Sequence, residues 1–233
     1  MHVPDGFLDA PTSVATGVAA AAAVGLALRG SRRELDDRAA PMAGLVATFV
    51  FAAQMLNFPV GAGTSGHLLG GALAAVLVGP WTAVLVLSVV LLVQSLLFAD
   101  GGVTALGTNV VLMGVVGVVV GWFVFRALQT VLPSRTALVA PLAAVAAYVS
   151  VPVTALAFVG LYAVGGTAPI PLDALATAML GWHAVIGLGE AAITGLVVAS
   201  IVSVRPDLVH GARPVLAART VELRTPGTEA AAA

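Results

Sequence analysis

The sequence predicts an all-α membrane protein with seven transmembrane helices. The N-terminus is expected outside and inserted into the bundle, and the C-terminus in the cytoplasm. One short, broken helix is expected after a Gly-rich loop that dips into the membrane. Three observations lead there. Sixty per cent of the residues are apolar and only 9% are charged, against about 25% charged in soluble domains. Apolar runs of spanning length recur along the chain. All the basic residues are arginines, and seven crossings put every one of them on the same side, as the positive-inside rule requires.

The chain opens Met1-His2-Val3-Pro4-Asp5-Gly6, without the basic stretch that precedes a cleavable signal. His2 is too large for the preceding Met to be trimmed, so Met1 is expected to persist with a free amine. Pro4-Asp5-Gly6 reads as a turn and Phe7-Leu8 as an apolar seal. The expected spans are Thr12–Leu28, Met42–Asn57, His67–Gly79, Trp81–Ala99, Gly107–Phe125, Ala137–Val164 and Ala178–Val204. His67–Gly79 is short, rising roughly 20 Å against a hydrocarbon core of about 30 Å. The loop before it, Phe58 to Gly66, must therefore enter the membrane, which irregular backbone does only when protein or a watery cavity surrounds it. Ala137–Val164 is long and carries Pro141 and Pro152, which predicts a tilt or kink.

The arginines fall in three groups: Arg29, Arg32, Arg33 and Arg38; Arg126 and Arg135; Arg205, Arg213, Arg219 and Arg224. If His67–Gly79 did not cross, the first two groups would lie on opposite sides. With seven crossings the outer segments hold Asp5, Asp9, Asp100 and Asp173 without an arginine. Residues 1–204 read as one polytopic membrane domain and 205–233 as a loosely ordered cytoplasmic tail. The near-zero net charge gives nucleic acid nothing to bind, and the lack of cysteine excludes disulfides and thiolate metal sites.

The chemistry concentrates at the start of the chain. The Met1 amine, the His2 amide nitrogen and the His2 imidazole can close two small chelate rings on one ion. His67, at the end of the dipping loop, can add a fourth nitrogen. Four such donors suit Ni(II), Cu(II) or low-spin Co(II) better than Mg or Ca. The bland alternative is a disordered start and a histidine that caps a helix. His183 and Glu190 lie seven residues apart in the last span, and ionisable groups at that depth mark function by default. Their bland reading is an interhelical hydrogen bond, with Glu190 protonated or partnered by Gln54, Gln94 or Asn109. His183 could also ligate directly. His210 reads as a solvated residue of the tail. Gly63-Thr64-Ser65-Gly66 fits the nucleophile motif of intramembrane serine proteases, which makes a rhomboid-like hydrolase with Ser65 as nucleophile and His183 as base the competing reading. A metal-sensing or assembly protein without transport is a third.

Met1 to Leu8, Gln54-Met55-Leu56-Asn57-Phe58-Pro59, Gly63 to Gly70, Asp100-Gly101-Gly102, Gly107-Thr108-Asn109, and His183 through Glu190-Ala191 form a set of blocks. Together they resemble the CbiM/NikM family, the substrate-binding membrane subunits of energy-coupling factor (ECF) transporters for cobalt and nickel. The resemblance covers about residues 1–200. It implies a seven-helix fold with an inserted N-terminus and Co(II) or Ni(II) as transported substrate, with no organic cofactor. It also implies a metal held by Met1, His2 and His67, with Asn57, Ser65, Asn109, His183 and Glu190 around those ligands. The implied partners are a membrane coupling (T) subunit, a pair of cytoplasmic ATPases and a small accessory membrane subunit, all at the plasma membrane. The chain has no phosphate-binding loop of its own, as expected of a subunit that is not an enzyme. Two departures stand out: Leu112 follows Val110-Val111 where the family often has a second Asn near Asn109, and Gly61-Ala62-Gly63 replaces a Gly-Gly pair before Thr64.

Overall fold

The computed structural model describes residues 1–35, 39–61 and 64–224. Arg38 of the first basic group and Gly63 of the protease-like motif lie outside the described residues. The chain forms α1 (Ala10–Gly30), α2 (Ala39–Gln54), a hairpin of β1 (Phe58–Gly61) and β2 (Thr64–Gly66), and α3 (Gly71–Val78). Then come α4 (Pro80–Leu97), α5 (Leu106–Val131), α6 (Val139–Gly165), α7 (Leu172–Val204) and α8 (Arg213–Arg224). Among the described residues, α1, α4, α5, α6 and α7 are each long and apolar enough to cross a membrane, and α2 is a shorter apolar helix.

Local chemistry sets the ends of these helices. The Asp9 carboxylate accepts from Thr12 N at 2.9 Å and caps α1, with Pro11 in the first turn where its missing N–H costs nothing. Pro152 lies inside α6, which continues through it. α5 contains a π-helical stretch at Val110–Val116, directly after Asn109; such departures cluster at functional sites. α7 starts six residues before the expected span. Asp173, read as part of an outer loop, sits in its first turn, where a carboxylate suits the positive helix end.

The short helix is shorter still than expected. His67 to Gly70 belong to neither strand nor helix, and α3 spans eight residues, all buried. At 1.5 Å per residue it is about 12 Å long. The hairpin pairs Phe58 with Gly66 and Pro59 with Ser65, with an irregularity between Pro59 and Gly61.

Two apolar cores follow. One gathers Met1, Val3, Phe7 and Leu8 with residues of α5, α6 and α7 such as Met113, Phe158 and Met179. The other packs α3 against Phe125, Val139 and the tail residues Val209, Ala212 and Val215. The expectation of a loose tail is therefore corrected over Pro206 to Val215: its apolar residues face the bundle, and Gln129 Nε2 donates to Gly211 O at 2.8 Å. His210 is half-buried rather than fully solvated; its ring lies 5.5 Å from that of Trp122. Residues 225–233 lie outside the described residues.

Candidate metal centre at the N-terminus

The first nine residues are sewn into one end of the bundle. Val3 N donates to Asn109 Oδ1 at 2.7 Å, and Val3 O accepts from Asn109 Nδ2 at 3.1 Å and from Gly102 N at 2.9 Å. The Asp5 carboxylate accepts from Thr104 N at 2.7 Å and from Thr104 Oγ1 at 2.5 Å. These bonds hold its pKa below the usual carboxylate range. Phe7 O accepts from Thr167 N at 3.1 Å, and Asp9 N donates to Gly165 O at 2.7 Å. The Phe7 ring packs 5.6 Å from Phe158 and 5.3 Å from Tyr162, the seal expected of it. The loop that receives this segment needs its glycines. Gly101 has φ +90°, and a side chain on Gly102 would run into the Pro4–Asp5 backbone.

The start of the segment is buried. Met1 is 1% exposed and His67 1%, and the His2 and His67 rings are stacked 4.3 Å apart at 20°. Burial pushes the terminal amine from its ordinary pKa of 8.0 down to about 4, against the opposing charge of Asp100. The amine is therefore neutral at pH 7 and carries a free lone pair. His2 Nδ1 lies 2.9 Å from Asp100 Oδ1. Burial pushes the Asp100 carboxyl up, but His2, the terminal amine and a hydrogen bond from Asn57 together bring it below its ordinary value. His67 Nδ1 is 2.8 Å from Leu68 O. That contact makes Nδ1 the protonated nitrogen, so Nε2, which has no hydrogen-bond partner, holds its lone pair free for an ion.

The structure thus gathers Met1, His2 and His67 at one point. His183 is close enough to act electrostatically on His67, and the terminal amine acts on His183. Its Nδ1 is tied to Met179 O at 2.7 Å and its Nε2 is buried without a partner. Asn109 holds the backbone beside His2, and Asn57 touches Asp100. Ser65 is half-buried in β2 opposite Pro59. The Nε2 atoms of His67 and His183 have no hydrogen-bond partner, and each Nδ1 faces a carbonyl. The serine–histidine pairing that a hydrolase needs is therefore not formed.

Glu190 departs from its expected partners. Neither Gln54, Gln94 nor Asn109 bonds it; it accepts from Leu69 N and Gly70 N at 2.6 Å each. Backbone amides leave no trace in a residue pattern, so the sequence could not supply them. Asp100 stands in the sequence as an outer acid and in the Asp100-Gly101-Gly102 block, but nothing there marks it as the partner of His2. Among the described residues no three or more His, Cys, Asp or Glu side chains converge on a metal position, so a site here must draw on main-chain nitrogen.

Comparison with known proteins agrees with this architecture. The model of the family described as "cobalt uptake substrate-specific transmembrane region" matches residues 2–208. A putative metal transport protein of Haloquadratum walsbyi is 41% identical over 209 residues, 90% of this chain and 93% of that protein. A putative fused nickel transport protein of Archaeoglobus fulgidus is 39% identical over 215 residues, 90% of this chain and 68% of that protein. A crystal structure described as a transition metal transporter superposes with a TM-score of 0.81 at 30% identity, covering 96% of this chain and all of that one. These relatives are transport proteins rather than enzymes. Together with the apolar helices they make this chain a multi-pass protein of the cell membrane. A match running from His2 to Leu208, on a helical membrane fold that encloses its own first residues, puts the chain in the CbiM/NikM family of cobalt- and nickel-transport proteins.

Proposed function

We propose that this chain is the substrate-capturing membrane subunit of an ECF-type ABC importer, and that Co(II) or Ni(II) is chelated at its buried N-terminus. The donors are the Met1 amine, the His2 amide nitrogen and Nδ1, and His67 Nε2. The observation that carries the reading is the buried start of the chain at Met1 with the stacked rings of His2 and His67. Closing both chelate rings uses His2 Nδ1, so the arriving ion takes that nitrogen from Asp100. The amide proton of His2 leaves at the same time, which needs a strongly polarising ion and disfavours Mg and Ca. Asn57, Ser65, Asn109, His183 and Glu190 surround these donors without replacing them.

The course of the helices supports seven crossings. α1 begins beside Gly165 at the metal end, and Glu34, just past α1, bonds the start of α4. α4 ends at Leu97, just ahead of Asp100, which lies beside His2, and the first turn of α5 reaches Val3 through Asn109. β2 and the irregular residues 67–70 run directly into α3 and lengthen that crossing beyond the helix itself. The N-terminus then lies outside. Residues 1–204 form the metal-binding membrane unit, and the chain from 205 onward lies on the cytoplasmic side. Energy comes from partners: a membrane coupling subunit and an ATPase pair, with a small accessory membrane subunit.

The test is metal analysis of two purified proteins, one starting at Met1 and one with a single glycine added before it. One equivalent of Co(II) or Ni(II) in the first and none in the second is the expected result. Equal loading of both would refute N-terminal chelation.

A further inference from the structure

The segment that carries His67 has no regular structure of its own to hold it. Residues 67–70 are neither strand nor helix, and Gly70, the residue before α3, has φ +77° and offers no side chain to cap the helix. Two polar side chains from different helices grip this stretch. From α7, the Glu190 carboxylate accepts Leu69 N and Gly70 N, one on each oxygen, at 2.6 Å. From α2, Gln54 Nε2 donates to Leu69 O at 2.7 Å. Glu190 is 2% exposed and Gln54 0%. Gly70 is pressed against Val50, where an added Cβ would come within 2.9 Å of both Val50 methyl carbons, so the backbone cannot retreat that way.

We propose that Glu190 is a positioning residue for the metal centre: by clamping Leu69 and Gly70 it fixes where His67 Nε2 stands relative to the Met1 amine. This rests on the chelation reading above and adds the part played by α7. The physical reason is the covalent distance. Leu69 N is two residues from His67 and cannot shift without moving the imidazole, and the intervening Leu68 O fixes the ring through Nδ1. A carboxyl group that accepts two amides at 2.6 Å makes short bonds, and a buried amide that loses its acceptor costs the full desolvation of that group. Any displacement of α7 along its axis is thereby a displacement of the fourth nitrogen, whereas the segment that carries Met1 and His2 is held through the next residue, Val3, by bonds to Asn109 and Gly102. The carboxylate touches no ligand; it acts only through the loop.

Glu190→Gln keeps the size of the side chain and loses one of the two acceptors. The probe is Cu(II) or Ni(II) alone, added to detergent-purified full-length protein, with affinity and the visible spectrum as readouts. Glu190→Gln is expected to bind at least tenfold more weakly, as loss of groups that orient metal ligands does, with its spectrum shifted toward that of His67→Ala. In a His67→Ala background, Glu190→Gln is expected to change the affinity no further, because the two act as one unit. Wild-type affinity and spectrum in Glu190→Gln, or an undiminished effect in the His67→Ala background, would overturn the positioning role while leaving the N-terminal site standing. Unchanged binding in His67→Ala itself would instead overturn the chelation reading. Should Glu190→Gln not fold, Gln54→Met tests the same clamp from α2. There the expected result is a weaker site with a shifted spectrum, and a wild-type site would count against the clamp.

Discussion

Asn109 engages the main chain of Val3 through both ends of its amide, accepting from Val3 N at 2.7 Å and donating to Val3 O at 3.1 Å. A side chain thus does what a neighbouring strand would do, and it does so next to His2 in a buried position. Asn109→Ala leaves Val3 N without an acceptor, which costs about 1–3 kcal/mol for a buried group. Val3 O keeps Gly102 N. The expected outcome is faster hydrogen exchange over residues 2–8 and metal affinity reduced by roughly 10- to 100-fold, with the helical circular dichroism unchanged. Unchanged exchange at the N-terminus would mean that Asn109 does not hold it.

Phe7 lies between Phe158 and Tyr162 and is 8% exposed. It is the largest apolar group that the leading segment buries away from Met1 and His2. Phe7→Ala leaves a cavity at that seam, and truncations of this kind cost about 3–5 kcal/mol. The loss falls on docking of the first nine residues rather than on the bundle. Limited proteolysis is expected to cut between Val3 and Asp9 in the variant and not in the parent, and metal uptake is expected to fall with it.

The terminal amine gives the docking a pH dependence of known sign. Its pKa is 8.0 when solvated and about 4 when buried, so the inserted segment takes the neutral form. Above pH 8 both states are neutral and insertion is at full strength. As pH falls from 8 toward 4 the solvated amine gains a proton that the buried one refuses. Insertion then weakens by about 1.4 kcal/mol per pH unit and levels off below pH 4. Hydrogen exchange of residues 2–8, normalised to amides of α4, is expected to rise steadily between pH 8 and pH 6. A flat profile would mean that the amine stays charged inside the pocket. Acetylated protein, which cannot titrate there, is the control.

What the sequence disclosed and what it concealed divide along physical lines. Long apolar runs announce helices, because the bilayer leaves few alternatives, and the Met-His start with a later His in a Gly-rich loop announces donors by residue type alone. His2 and His67 do stack in one pocket. Hidden were interactions whose second partner is backbone: Glu190 with Leu69 and Gly70, and Asn109 with Val3. The tail misled for another reason. Val209, Ala212 and Val215 are spaced to share one side of the chain, but they are diluted among arginines and prolines, so their burial follows only once Phe125 and α3 are seen to need a cover. Glu34, flanked by Arg33 and a run of charges, reads as solvated and is 6% exposed.

That last residue separates stability from function. Glu34 reaches across from the end of α1 to the first turn of α4, where its carboxylate accepts from Trp81 N at 3.2 Å, Thr82 N at 2.7 Å and Thr82 Oγ1 at 2.9 Å. It takes the place of the missing side-chain cap, since Gly79 precedes the helix with φ +94° and nothing to offer. Negative charge at this end also meets the positive pole of α4. Glu34→Ala strips these donors of their acceptor in a buried place, and a loss of about 1–3 kcal/mol is expected. The site of that loss is the end of the bundle away from Met1, so thermal unfolding should come several degrees earlier while Ni(II) affinity at a temperature where the variant is folded stays within twofold of the parent. A large fall in affinity would instead mean that the two ends are coupled through α4, whose far end carries Asp100 against His2.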